Sequence, residues 1–285
     1  MTIKTLTLAV LGASLLAPVA LFASELHPVV DFQAGYLLGS STVPNKWMRP
    51  EALVKSKQLP GKRKYRVYSM KGYLGEVSGN KAISQGAPCE DTRYVDFAPS
   101  RENAKYKSGV IAIGGSWNAL PRPLRQEGTY LVTYRNIVAD FLKTKGIPKT
   151  TIRIAQVFRV DLDGDGTDEV LINATNHNGS NGLNGNISPD SRAGEYSMTL
   201  LRKIVNGKVQ TILVEGDFYP TAKKFNAPNV YKIAGAFDVN GDGKMEIVTK
   251  GRYYEGDWTT VYAVNGNKSS SVLKVQDVLG DGCGA

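Results

Sequence analysis

The chain is poor in the residues that build redox and transition-metal centres: its 285 residues include only two cysteines and two histidines. With His27 and His177 alone available, a multi-histidine metal centre is excluded, and a Ser-His-Asp arrangement would have to use one of these two. No glycine-rich phosphate loop followed by a lysine occurs. Long apolar runs are confined to the start of the chain, so nothing later approaches the ~18 consecutive apolar residues that spanning a bilayer requires. At the start, Lys4 precedes an apolar run from Leu6 to Leu16 that continues past Pro18 to Phe22 and Ala23. It reads as a secretory signal peptide over 1–23, with an uncleaved anchor as the competing reading. The expectation is an exported protein, periplasmic or secreted, with no transmembrane segment after signal cleavage.

In an exported protein a single pair of cysteines is most simply a disulfide, which predicts a Cys89–Cys283 bond; two free thiols are the alternative. The formal charge of +9 invites a nucleic-acid partner, but export argues against one. The basic residues cluster only in Lys55 to Arg66, without a nucleic-acid-binding motif. Such a stretch reads as a solvated basic face, or as one that attracts anionic envelope polymers or lipid headgroups.

What is present is more specific. Asp161-Leu-Asp-Gly-Asp-Gly-Thr-Asp-Glu169 places side-chain oxygens at positions one, three, five and nine, with glycines at four and six. A tightly curled backbone of this spacing can aim Asp161, Asp163, Asp165 and Glu169 at one point, with the Thr167 carbonyl as a further oxygen. That donor set suits Ca2+, which takes six to eight oxygens in flexible geometry. A second copy begins 77 residues later at Asp238-Val-Asn-Gly-Asp-Gly-Lys-Met-Glu246, where Asp238, Asn240, Asp242 and Glu246 hold the same positions and Lys244 occupies position seven. EF-hands need a further carboxylate at position twelve, which here is Ile172 or Thr249. The first loop has four acids and the second three plus Asn240, so the sequence predicts two calcium ions, held more tightly in the first loop.

Both loops sit between strand-like segments. Ile152 to Val160 enters the first and Val170 to Ala174 leaves it; Ser197 to Ile204 and Val209 to Val214 then flank Asn206-Gly207, a strong hairpin signal. Tyr231 to Phe237 and Ile247 to Lys250 repeat the scheme around the second loop, with Thr259 to Val264 and Ser271 to Val275 flanking Asn265-Gly266. Strand, acidic loop, strand, strand, turn, strand is an internal repeat, and four antiparallel strands form a propeller blade. The motif Asp-x-(Asp/Asn)-Gly-Asp-Gly-x-x-Glu in this setting resembles the FG-GAP or VCBS-like repeat of integrin α-chain propellers and many exported bacterial proteins, over roughly Ile152 to Val275. The resemblance implies propeller-like blades in the C-terminal half and calcium at the two loops. Asp277 to Ala285 looks like a decayed third copy, expected to be a tail positioned by Cys283.

The fold expected is mainly β, with residues 24–150 a β-rich region and 151–285 the two repeats and a tail. In the first region His27 to Ser40, Tyr65 to Met70 and Gly72 to Val77 read as strands, Tyr94 to Phe97 and Val110 to Ile113 as a pair, and Lys46 to Pro50 as a connection. One helix is predicted near 129–145, from Leu131, Tyr134, Val138 and Phe141 at helical spacing and the stop at Gly146 and Pro148. The polar insertion Asn176 to Glu195 is long for a connection, and His177 within it is expected to be a solvated loop residue. Phe218, Tyr219, Tyr253, Tyr254 and Trp258 lie near turns and are either core aromatics or contact residues. The function expected is non-catalytic recognition of a carbohydrate, protein or envelope component. The alternative is a secreted glycosidase-like hydrolase drawing a carboxylate pair from Asp190, Glu195, Asp217, Glu255 and Asp257.

Overall fold

Successive residues are buried along several strands, as over 37–42, 195–201, 233–237 and 246–249, so both faces of their sheets are covered there. A computed structural model describes residues 25–42, 46–177, 185–266 and 272–284; the expected signal peptide and the middle of the insertion lie outside them. In chain order come β1 (His27–Asp31), β2 (Leu37–Thr42), β3 (Lys46–Met48), helix α1 (Pro50–Lys55), β4 (Arg63–Ser69), β5 (Gly72–Gly79), β6 (Ile83–Ser84), β7 (Arg93–Tyr94), β8 (Phe97–Ala98) and β9 (Ile111–Ile113). Then follow β10 (Arg125–Gln126), α2 (Val132–Thr144), β11 (Ile154–Val160), β12 (Glu169–Thr175), β13 (Glu195–Val205), β14 (Lys208–Tyr219), β15 (Val230–Phe237), β16 (Glu246–Arg252), β17 (Gly256–Asn265) and β18 (Lys274–Gly284).

These strands make a seven-stranded sheet in the order β3-β2-β1-β9-β4-β5-β8, a five-stranded sheet β10-β11-β12-β13-β14, a four-stranded sheet β15-β16-β17-β18 and the small ribbon β6-β7. The second and third are antiparallel meanders in sequence order. The first is not, because β9 inserts between β1 and β4.

The four-stranded sheet is the middle layer. One of its faces, with Phe237, Val248 and Val261, packs on Val29, Leu38, Tyr68 and Ile111 of the seven-stranded sheet. Its other face, with Ile233, Ile247 and Met245, packs on Phe158, Leu171 and Leu201 of the five-stranded sheet. That sheet covers its outer face with α2 through Tyr134, Val138 and Leu142, spaced i, i+4, i+8. The seven-stranded sheet covers its outer face with Leu53 of α1. The core that joins the first and third sheets draws on both the 24–150 and the 151–285 regions.

Several expectations need correction. Lys46 to Pro50 is not a connection, since it contains β3 and opens α1, a second helix besides α2. Residues 94–97 and 110–113 do not pair: Tyr94 belongs to the β6-β7 ribbon, whereas β9 is gripped between β1 and β4. The last residues form β18, which pairs with β17 along its length. Asn206-Gly207 is a two-residue turn, both residues at positive φ as that turn requires. Asn265-Gly266 is not one, because Asn265 pairs with Lys274 and leaves a longer connection.

A buried acid marks the seam between the second and third sheets. Glu215 on β14 is 9% exposed and accepts the Tyr262 hydroxyl of β17 at 3.2 Å. Burial pushes its carboxyl up to about 7, against 4.5 ordinarily, and the bond from Tyr262 only partly offsets this. The folded protein then keeps a proton that the unfolded chain releases, so this residue's contribution is present below pH 4.5 and is lost as pH rises through 7. The loss is of order 3 kcal/mol. Urea unfolding at pH 5 and pH 8 should show Glu215→Gln more stable than wild type at the higher pH only. An equal difference at both pH values would contradict this.

Candidate metal centre

Each acidic loop is closed by its own carboxylates, and the two closures match position by position. In the first loop Asp161 accepts the backbone N–H of Gly164 (2.8 Å), Asp165 (3.1 Å) and Gly166 (3.0 Å). In the second, Asp238 accepts those of Gly241 (2.6 Å), Asp242 (3.2 Å) and Gly243 (2.9 Å). Glu169 accepts Leu162 N–H at 2.7 Å, and Glu246 accepts Val239 N–H at 3.0 Å. Asp165 accepts Thr167 N–H at 2.8 Å, and Asp242 accepts Lys244 N–H at 2.9 Å. The curl needs glycine at positions four and six, where φ is 77° and 82° in the first loop and 79° and 84° in the second.

The first loop brings oxygens of Asp161, Asp163 and Glu169 within 4.8 Å of one another, and this trio could hold a metal ion. Asp165 is outside the trio and exposed, and Thr167 is half-buried. Asp168, at position eight, turns away to Arg125 and to Arg159, the latter at 3.4 Å. Oδ1 of Asp163 is buried and has no hydrogen-bond partner among the described residues. A buried carboxylate oxygen left in this state is costly without a cation or donor.

One residue of the site carries no signal in the loop motif. Lys203 on β13, its side chain 1% exposed, donates to Asp163 at 2.9 Å and to Glu169 at 2.6 Å. Burial works against its charge, but the bonds to Glu169 and Asp163 outweigh burial and hold the ammonium protonated. The register explains its position: Val170 pairs with Arg202, so the next residue on β13 faces Glu169 across the ladder. In the third sheet Ile247 pairs with Tyr262, and the residue that faces Glu246 is Ala263. The extra acid of the first loop, Asp163 where the second has Asn240, is thus matched by the extra cation, Lys203 where the second has Ala263.

The second loop is the more buried. Asn240 is fully buried, Asp238 and Glu246 are each 4% exposed, and Lys244 points to the surface. No ion pair reaches Asp238, Asp242 or Glu246 among the described residues. Burial raises the Asp238 carboxyl and raises Glu246 well above the usual range, with repulsion from Asp242 adding to both. A cavity of about 400 Å³ opens beside these acids, lined by Asp163, Lys203, Asp242, Glu246 and Ala263 among others.

The loops lie side by side and are bound to each other. Met245 N–H donates to the Leu162 carbonyl at 2.8 Å. Arg122 donates to the carbonyls of Asp161, of Leu162 at 2.9 Å and of Gly243 at 2.8 Å, so one guanidinium spans both. In the sequence Arg122 is a turn residue between two prolines, and only the three-dimensional approach of the loops reveals its role. Trp117 adds a bond from Nε1 to the Asp238 carbonyl at 2.7 Å.

Elsewhere, Cys89 and Cys283 form a disulfide, with Cα atoms 5.6 Å apart. His177 is not a solvated loop residue. It is 2% exposed, with Nδ1 3.0 Å from Glu195, which also accepts the Arg192 N–H at 2.7 Å. Asp217 accepts Asn229 at 2.8 Å and the Tyr219 and Tyr231 hydroxyls at 3.3 Å, and Asp190 accepts Phe225 N–H at 2.7 Å. Of the turn aromatics, Phe218 packs against Phe141 and Tyr253 against Trp258, while Tyr254 is exposed. No helix among the described residues is long and apolar enough to cross a membrane.

Comparison of the chain with protein-family models, with curated proteins and with solved structures finds no match.

Proposed function

We propose that the protein is an exported, calcium-stabilised recognition module of propeller-like blades, with one Ca2+ at each acidic loop and a binding rather than catalytic role. The observation that carries this reading is the residue-by-residue match of the two closed loops, each joining two neighbouring strands of an antiparallel meander, β11 to β12 in the one and β15 to β16 in the other. Two loops that conserve the curl and the acid positions within one chain are most simply explained by one shared ligand. Oxygen-only donors favour a hard cation, and the flexible number of oxygens favours Ca2+ over Mg2+. Asp161, Asp163 and Glu169 would hold one ion, with Asp165 and the Thr167 carbonyl available; Asp238, Asn240, Asp242 and Glu246 would hold the other, with the Lys244 carbonyl. The orphaned Asp163 oxygen fits this assignment, as does the lack of an ion pair to Asp238, Asp242 or Glu246 among the described residues. Lys203 removes the charge advantage of the first loop, since four acids less one ammonium equal the three acids of the second. The two loops then offer a bound cation the same net charge, and the acids already gathered within 4.8 Å are those of the first.

The disulfide supports export, because such bonds persist in oxidising compartments. A recognition role rests on a β scaffold whose loops and clefts carry charged and aromatic side chains away from the calcium loops. The ligand class remains carbohydrate, protein or envelope component at this level.

Calcium at about one hundred times its Kd should stabilise by about 2.7 kcal/mol per site, and the two sites together should raise Tm by about 10–20 °C over the chelated protein. Calorimetry with calcium, magnesium or chelator checks this. An unchanged melt, together with no metal in protein purified without chelator, would remove the calcium assignment.

A further inference from the structure

A second cleft, of about 300 Å³, lies where the middle sheet meets the seven-stranded sheet, and its chemistry is opposite to that of the loops. Its lining includes Lys232, Lys250, Arg252, Asp31, Asp257 and Thr259. Lys232 on β15 stands directly across the ladder from Lys250 on β16. Like charges so placed in an antiparallel pair destabilise a sheet, so the fold gains nothing from this arrangement.

Only one of the two ammonium groups is neutralised. Lys250 reaches Asp31 at 2.7 Å, and Asp31, 1% exposed, also accepts Thr259 at 2.5 Å and the N–H groups of Gln33 and Ala34. Lys232 forms no ion pair among the described residues. It is half-buried, and burial, then Lys250 and Arg252, pull its ammonium below the usual lysine range. Arg252 donates to the Gly185 carbonyl, but its Nε is buried with no hydrogen-bond partner among the described residues. Asp257, opposite Arg252 in the ladder, is exposed and lies against Tyr36. Three cations and two acids leave this cleft one positive charge in excess, with the Lys232 ammonium unneutralised among the described residues and the Arg252 guanidinium short of one partner.

We propose that this cleft binds a small ligand bearing one carboxylate, held by Lys232 and Arg252. A monoanion cancels the excess charge, whereas a phosphate dianion would reverse it. Lys250 and Thr259 stay engaged with Asp31 and set the floor. The volume is at the small end of ligand pockets, which suits a single acidic sugar ring or an acylated amino acid. The proposal rests on the recognition reading above only in taking the ligand to leave unchanged. The two are separable, because calcium acts on Tm through the loops and the carboxylate is read at the cleft.

Isothermal titration of the full chain, calcium-loaded, with D-glucuronate, D-glucose, N-acetylalanine and inorganic phosphate tests this. At least one carboxylate should bind with Kd below about 1 mM and be recovered intact, while glucose, which shares the ring but not the charge, should not bind. Glucuronate against N-acetylalanine decides whether the carboxylate comes from a sugar or from a peptide-like source. Lys232→Met and Arg252→Met should each weaken binding by about tenfold or more, with Lys232→Arg close to wild type. Lys232→Met should melt no lower than wild type, because it removes a like-charge pair rather than a packing contact. Binding of no carboxylate, of phosphate alone, or of Lys232→Met as tightly as wild type would overturn the proposal. A calcium-dependent Tm that survives such a result would leave the loops' role standing.

Discussion

Opening the Cys89–Cys283 bond should lower the melting temperature by about 10 °C without altering the folded structure. The bond closes a loop with a sequence separation of 194. In the chain-entropy model a loop of that length restricts the unfolded ensemble by about 5 kcal/mol. The folded state should survive because the partners of the bond are held independently. Cys283 lies on β18, paired with Asp257 of β17. Thr92 and Arg93, near Cys89, bond to Asp281 at 3.2 Å and 3.3 Å. Calorimetry of the oxidised protein, the reduced protein and the Cys89→Ser, Cys283→Ser double variant checks this. The reduced protein and the double variant should melt together, with the circular dichroism spectrum of the oxidised form. A double variant that melts with the oxidised protein would show that the tether contributes nothing.

Lys203→Ala should be about as damaging in chelator, and calcium should rescue it. The substitution gives the first loop the residue that already faces Glu246 in the second. It also leaves Glu169, 2% exposed, and Asp163 without their shared ammonium. Removing one partner of a buried ion pair costs about 3–5 kcal/mol, or about 10 °C in Tm here. Calcium then meets four acids with no competing cation, so the calcium-dependent rise in Tm should exceed that of wild type. If Lys203→Ala loses stability equally with and without calcium, Lys203 is a packing residue and does not trade with the ion.

The two acidic loops were legible in sequence because their chemistry is local: oxygens and glycines at fixed spacing within nine residues dictate both the curl and the donor set. The strands beside them and α2 were legible for a similar reason, since apolar period alone defines them. Lys203 was not, because a single lysine in a strand gains meaning only from the ladder that sets it opposite Glu169. Arg122 was hidden in the same way, reading as a turn residue until three carbonyls from two distant loops converge on it. Residues 24–150 misled most, because their sheet is not sequential: β9 completes it from far along the chain, and no local pattern announces an inserted strand. His177 sits in a polar stretch that suggests solvent, yet pairing with Glu195 carries it inside.

The contact of Arg122 with both loops has one further consequence. Carbonyls of Asp161, Leu162 and Gly243 share this guanidinium, and Leu162 also receives Met245 N–H, so neither loop can change its curl without disturbing the other. Two ion sites on loops joined in this way would be thermodynamically linked, and linkage is reciprocal: whatever free energy one ligand lends to the other's binding is returned in equal measure. If each loop holds the ion proposed for it, occupancy of the pair is a cooperative property of the molecule rather than the sum of two independent affinities, and its size depends on a residue outside both proposed ligand sets.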